Sequence, residues 1–101
     1  EKIIETQAAD IFIIKPMVSG GFEECKKIIN LAREEKIRTI VTSSLETSIG
    51  RTGCLHLAAV NEITEACGLA TGTLLEEDKK AQNIENGIIK LPNIPGMGME
   101  L

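Results

Sequence analysis

The sequence has no tryptophan and no tyrosine, and Phe12 and Phe22 are its only aromatic residues. Any core must therefore be aliphatic, and there is no stacking platform for nucleic-acid bases. Basic residues form no block beyond Lys26-Lys27 and Lys79-Lys80, and the net charge is −4. Backbone phosphates demand clustered cations, so nucleic acid is not an expected partner. No apolar run approaches the ~18 residues that crossing a bilayer takes, so no membrane span is expected. A signal-peptide pattern is also missing. The cytoplasm is the expected location.

Cysteine pairing is excluded on similar grounds. Cys25, Cys54 and Cys67 are odd in number and show no C-x-x-C spacing. A disulfide framework needs an even set in a small secreted chain. These residues read as small buried hydrophobes in a reducing compartment. Cys54-Leu-His56 is half a zinc site at best, since no second ligand pair lies at a suitable distance.

What is present is a repeated strand-and-helix design in a chain of 101 residues, the size of one domain. Glu1–Ala9 looks like the end of a helix. That opening, with no initiator methionine, suggests a processed chain or a piece of something larger. Asp10-Ile-Phe-Ile-Ile is a continuous apolar run, as expected of a parallel strand covered on both faces. Lys15-Pro16 ends it, because proline cannot donate to the ladder. From Gly21 to about Lys36, Phe22, Cys25, Ile28, Ile29 and Ala32 fall on one helical stripe. Ile37–Thr42 is a second buried strand. Thr47 or Ser48 can cap a further helix with Ile49, Gly53, Leu57 and Val60 along one face. Cys67–Gly72 reads as a third short strand entering a turn. Beyond it lie a solvated segment, Glu76–Lys80, an Asn86-Gly87 hairpin signal and a Pro/Gly-rich end. Repeated βα units imply an α/β fold with a parallel sheet, open or closed into a barrel.

Polar residues collect at the carboxyl ends of the strands, where α/β proteins place their chemistry. Lys15 ends the first. There an ammonium can stabilise a developing anion or act as an acid/base, or simply reach solvent. Thr42, Ser43 and Ser44 end the second, offering hydroxyl and amide donors to a carboxylate, besides their use in capping. Glu46 could orient a partner or pair with Lys15. Val18-Ser19-Gly20-Gly21 reads as a tight βα turn and lacks the Gly-Lys-Ser/Thr of a P-loop. His56, in an apolar helix, reads as a satisfied core histidine.

Taken in order, IIKPMVSGGF, IVTSSLETSIGRTGCLHLAA, GLATGTLLEED and the IPGMGMEL ending resemble the carboxyl-terminal third of an enolase-superfamily enzyme. The subgroup is the muconate-lactonizing one, with o-succinylbenzoate synthases as the nearest likeness. The resemblance implies strands six to eight of a (β/α)7β TIM-like barrel over residues 1–75. Residues 76–101 would be a tail returning toward a capping domain that this chain does not include. Lys15 would be the strand-six lysine that stabilises an enediolate. Thr42, Ser43, Ser44 and Gly68 would hold the carboxyl groups of a small-molecule substrate, Gly68 through backbone amides. The family reaction removes a proton alpha to a carboxylate with Mg2+ as cofactor. Its metal ligands lie on strands outside this chain, so no metal-binding residue is expected within it.

The resemblance also implies what the chain needs. A barrel of this kind takes about 250 residues, so the expected partner is the missing amino-terminal part of the barrel, or a second copy. Isolated, the segment is expected to be inactive. The alternatives are an N-acylamino acid racemase or dipeptide epimerase of the same superfamily, a non-catalytic half-barrel module, and an open-sheet phosphate binder.

Overall fold

The computed structural model describes residues 1–75 and 84–98. The sheet is built from two parallel strands, β1 (Ile11–Ile14) and β2 (Arg38–Val41). Their register runs from Ile11↔Arg38 to Ile14↔Val41. The expected third strand is reduced to a single parallel bridge, Thr42↔Gly68. Its neighbour Leu69 still enters the core, but the chain then turns into a short 3-10 helix, Thr71–Leu74, rather than extending the ladder.

A one-turn helix α1 (Lys2–Glu5) precedes β1, shorter than the helical text of residues 1–9 suggests. After β1 comes a second single turn, α2 (Pro16–Ser19), which the pattern reading did not contain. Pro16 occupies its first turn, where a fixed φ and a missing N–H cost nothing. Gly20 ends it at φ +94°, a left-handed value that a side chain would strain.

Helix α3 (Phe22–Glu34) follows, and α4 (Ser48–Val60) comes after β2. On α3 the expected stripe holds, with Cys25, Ile29 and Ala32 buried, although Phe22 remains half exposed. On α4 it does not. Ile49 and Val60 are exposed, whereas Arg51, Thr52, Cys54 and Ala58 are buried with Gly53 and Leu57. The buried arc is wider and more polar than hydrophobicity alone indicates, because loops as well as strands cover this helix.

Both helices pack on one face of the sheet, enclosing Ile14, Val41 and Leu69 with Cys25, Ile29, Cys54, Leu57 and Ala58. Each fully buried Ile or Val contributes about 1.5–3 kcal/mol relative to exposure. The opposite face is open. Ile13 is 64% exposed, against 2% for its neighbour Ile14, so coverage on both faces is not found among the described residues. One helical layer covers one face, and nothing among the described residues covers the other.

The Asn86-Gly87 signal is realised as a hairpin, β3 (Ile84–Glu85) paired antiparallel with β4 (Ile88–Ile89). Asn86 and Gly87 both have positive φ, 51° and 75°, as a type I′ turn requires. The Glu76–Lys80 segment lies outside the described residues.

Candidate active site at the carboxyl ends of the strands

One residue beyond the last register pair, Ile14↔Val41, stand Lys15 and Thr42. The Thr42 amide donates to the Ile14 carbonyl at 2.9 Å, which fixes the two strand ends side by side. Lys15 is exposed and makes no ion pair among the described residues. Alternation places it on the face of Ile13, away from the helices.

Gly68 closes the other side. Its amide donates to the Val41 carbonyl at 3.0 Å and its carbonyl accepts from the Ser43 amide at 3.0 Å. A Cβ there would stand 2.7 Å from Thr42 Cγ2, so only glycine allows this approach. Thus Thr42, Ser43, Ser44 and Gly68 are brought together, with Lys15 beside them.

The donors in this cluster are not equally available. The amides of Thr42, Ser43 and Gly68 are all spent on carbonyls, and the Ser44 amide donates to Glu46 Oε2 at 2.9 Å. Gly68 therefore has no amide proton left for a substrate. Thr42 Oγ1, by contrast, is buried and has no hydrogen-bond partner among the described residues. Leaving a buried hydroxyl unpaired costs about 1–3 kcal/mol, which marks it as a group awaiting a partner.

Ser43 is 4% exposed, and its Oγ lies 2.8 Å from Thr71 Oγ1. Thr71 Oγ1 in turn donates to the Ser44 carbonyl at 3.1 Å. A hydroxyl carries one proton. When the carbonyl takes that of Thr71, Ser43 donates in the 2.8 Å bond, and when the Ser43 proton turns instead to the Gly68 carbonyl at 3.3 Å the Thr71 hydroxyl is the donor.

Glu46 does not pair with Lys15. Its backbone carbonyl accepts from Arg51 Nη1 at 2.7 Å, and its carboxylate lies 3.5 Å from Cys54 Sγ. Burial, then the neighbouring Glu46 carboxylate, pushes the Cys54 thiol from 9.0 up to about 12. Burial likewise raises Cys25. All three cysteines are free, and these two buried ones stay protonated. His56 Nε2 is buried without a partner among the described residues, so it is not the satisfied core histidine expected.

Arg51 and Thr71 are the site residues that sequence reading did not single out. Arg51 is 1% exposed and lies under Gly72. The only signal was its position in the helix directly after the Thr42–Glu46 loop.

Two open clefts lie at the opposite end of the sheet. One, of about 230 Å³, includes Arg33, Lys36, Arg38, Glu62 and Glu65. Its guanidiniums are engaged, Arg33 with the Asn61 carbonyl at 2.6 Å and Arg38 with Glu65 at 3.6 Å. In parallel α/β folds chemistry collects at the carboxyl ends of the strands rather than at their amino ends. The candidate site therefore rests on its unspent hydroxyl and not on either of these clefts.

Among the described residues, no group of His, Cys, Asp or Glu side chains is placed to hold a metal ion. They do not fit as Mg2+ ligands, and the chemistry open to the site's own side chains is hydrogen bonding and charge stabilisation. Among the same residues, no helix is long and apolar enough to cross a membrane.

The model of one protein family, described as enolase C-terminal domain-like, matches residues 1–101. The chain belongs to this enolase family. Among its relatives, the o-succinylbenzoate synthase of Mycobacterium tuberculosis is 35% identical over 77 residues. That alignment covers 75% of this chain and 23% of the synthase. A D-Ala-D/L-Ala epimerase of Cytophaga hutchinsonii is 31% identical over 101 residues, covering 97% of this chain and 27% of the epimerase. In three dimensions the chain resembles an N-succinyl Arg/Lys racemase from Bacillus cereus, with a TM-score of 0.86 and 28% identity. The match covers 99% of this chain and 27% of the racemase. The chain thus spans about a quarter of the length of these relatives. Enolase-type synthases and epimerases or racemases are both among them.

Proposed function

We propose that this chain supplies strands six to eight of a (β/α)7β barrel in a Mg2+-dependent dehydratase of the o-succinylbenzoate synthase type. Residues 1–75 form the barrel segment, and residues 76–101 return toward a capping domain. The observation that supports this most is the meeting of Lys15 with the Thr42–Ser44 loop and Gly68 at the carboxyl ends of parallel strands. A cation stands there beside the one buried hydroxyl, Thr42 Oγ1, that has no hydrogen-bond partner among the described residues. In this reading Lys15 stabilises the enediolate that forms when a base elsewhere removes the alpha proton. Thr42 Oγ1 donates to a substrate carboxylate. Gly68 serves by bringing its backbone close, since its amide is spent.

The partner in this reading is the amino-terminal part of the barrel, which would cover the face carrying Ile13 and bring the metal ligands. The full-length protein would act in the cytoplasm on a small carboxylate. The test is dehydration of the o-succinylbenzoate precursor by that protein with Mg2+ present. Alpha-proton exchange of N-succinyl amino acids without dehydration would favour the second reading, a racemase or epimerase. That alternative draws on the likeness to the Bacillus cereus racemase and the Cytophaga hutchinsonii epimerase.

A further inference from the structure

We propose that Thr71 is a positioning residue, and that Ser43 serves the site through Thr71 rather than by touching substrate. This rests on the reading that the Thr42–Ser44 loop takes a carboxylate. The two loops of the site come from distant parts of the chain, after β2 and after Gly68. Among the described residues the backbone joins them only through the bridge Thr42↔Gly68, and the ladder goes no further at this level. The hydroxyl relay spans that gap. The Ser43 and Thr71 hydroxyls share a 2.8 Å bond, and Thr71 Oγ1 reaches the Ser44 carbonyl at 3.1 Å. Both hydroxyl protons are consumed inside the relay, so neither is left for a carboxylate. The relay instead pins the peptide that follows Ser43, and so sets where Thr42 Oγ1 and the Ser44 side chain stand.

The floor beneath the relay is equally fixed. Gly72, next to Thr71, is buried against the Arg51 guanidinium, and Arg51 Nη1 holds the Glu46 carbonyl at 2.7 Å. Glu46 Oε2 accepts from the Ser44 amide at 2.9 Å, which returns the circuit to the same loop. Ser44 is thereby held at both its amide and its carbonyl, one by each side of the circuit.

The experiment is a double-mutant cycle in the full-length protein carrying this segment. It uses Ser43→Ala, Thr71→Val and the pair, with Thr71→Ser as the conservative control. Binding of o-succinylbenzoate is followed by calorimetry, and KM and kcat by turnover of the precursor or of N-succinyl amino acids. Each single change is expected to weaken binding and raise KM about five- to tenfold, the value of one hydrogen bond, with kcat nearly unchanged. The pair should cost no more than either change alone, because both break one relay. Thr71→Ser should restore affinity to within about twofold, since it keeps the hydroxyl. Additive losses, or a Thr71→Val protein that binds as the wild type does, would overturn the proposal alone. A wild-type protein that neither binds o-succinylbenzoate nor turns over either substrate would sink the functional reading, and this inference with it.

Discussion

Gly72 lies against the guanidinium of Arg51 so closely that a Cβ built on it would stand 2.5 Å from both Cζ and Nη2. Arg51 in turn is 1% exposed and bonded to the Glu46 carbonyl. The glycine and the arginine therefore determine one another. Gly72→Ala must move the guanidinium, and should destabilise the protein by about 1–3 kcal/mol, the usual cost of overpacking. In an Arg51→Ala background the added methyl meets no guanidinium, so its cost should shrink markedly. Chemical denaturation of the four proteins measures this coupling. Equal effects of Gly72→Ala in both backgrounds would show that the contact does not constrain the turn.

A related constraint operates at Gly68, whose missing side chain admits Thr42. Gly68→Ala would place a methyl 2.7 Å from Thr42 Cγ2 and 3.3 Å from its Cβ. Substrate affinity should fall with stability, because Thr42 carries the unpaired hydroxyl. Thr42→Ser removes Cγ2 while keeping the hydroxyl, and should recover part of both losses. If Gly68→Ala binds o-succinylbenzoate normally, the close approach has no bearing on the site.

The strand-end positions of Lys15, Thr42, Ser43 and Ser44 were legible because strand ends are announced locally, by a proline or by a run of hydroxyls after apolar residues. The hairpin at Asn86-Gly87 was legible for the same reason, a turn that demands positive φ. Arg51 was not, since an arginine in a helix is ordinarily solvated and its burial depends on Gly72, a distant residue in sequence. Thr71 escaped because the run Cys67–Gly72 looks like a strand, whereas only Gly68 makes a ladder contact. The open face at Ile13 escaped too. Two-sided burial needs a second covering layer, and a pattern of apolar residues does not say which chain supplies it.

Cys54 sets an alkaline limit on stability. Its folded thiol is pushed up to about 12 from 9.0, by burial first and by Glu46 second. A group whose pKa is raised on folding contributes stability that is fully present below the unfolded value. That contribution is lost as pH rises toward the folded value. Stability measured by urea unfolding should therefore decline between about pH 9 and 12. Cys54→Ala should flatten that limb while lowering stability at neutral pH through the small cavity it leaves. An unchanged alkaline limb would mean that the thiol is not the group responsible.

Lys15 tests the chemistry most directly. If Lys15 stabilises the enediolate as proposed, Lys15→Ala in the full-length protein should abolish most turnover while leaving o-succinylbenzoate binding measurable, since such stabilisation acts chiefly in the transition state. Losing one such electrostatic contact costs about 10²–10³ in kcat. Lys15 is exposed and makes no ion pair among the described residues, so folding should be unaffected. A variant with normal kcat would remove Lys15 from the mechanism.

The exposed face makes its own prediction for the isolated 101-residue chain. Ile13 is 64% exposed, Met17 64%, Val18 73% and Leu45 65%, all near the carboxyl ends of β1 and β2. Apolar surface beside a strand edge favours association, since both the side chains and the unpaired backbone gain by it. At micromolar concentration the isolated chain should sediment as dimers or larger species rather than as a 10.9 kDa monomer. Ile13→Lys should shift it toward the monomer, because a charge on this face is solvated alone and costly when covered. Co-expression with the amino-terminal part of a related barrel should give a soluble heterodimer in place of self-association. A stable, cooperatively unfolding monomer would show that the face needs no cover, and would leave the half-barrel module as the better account of this chain.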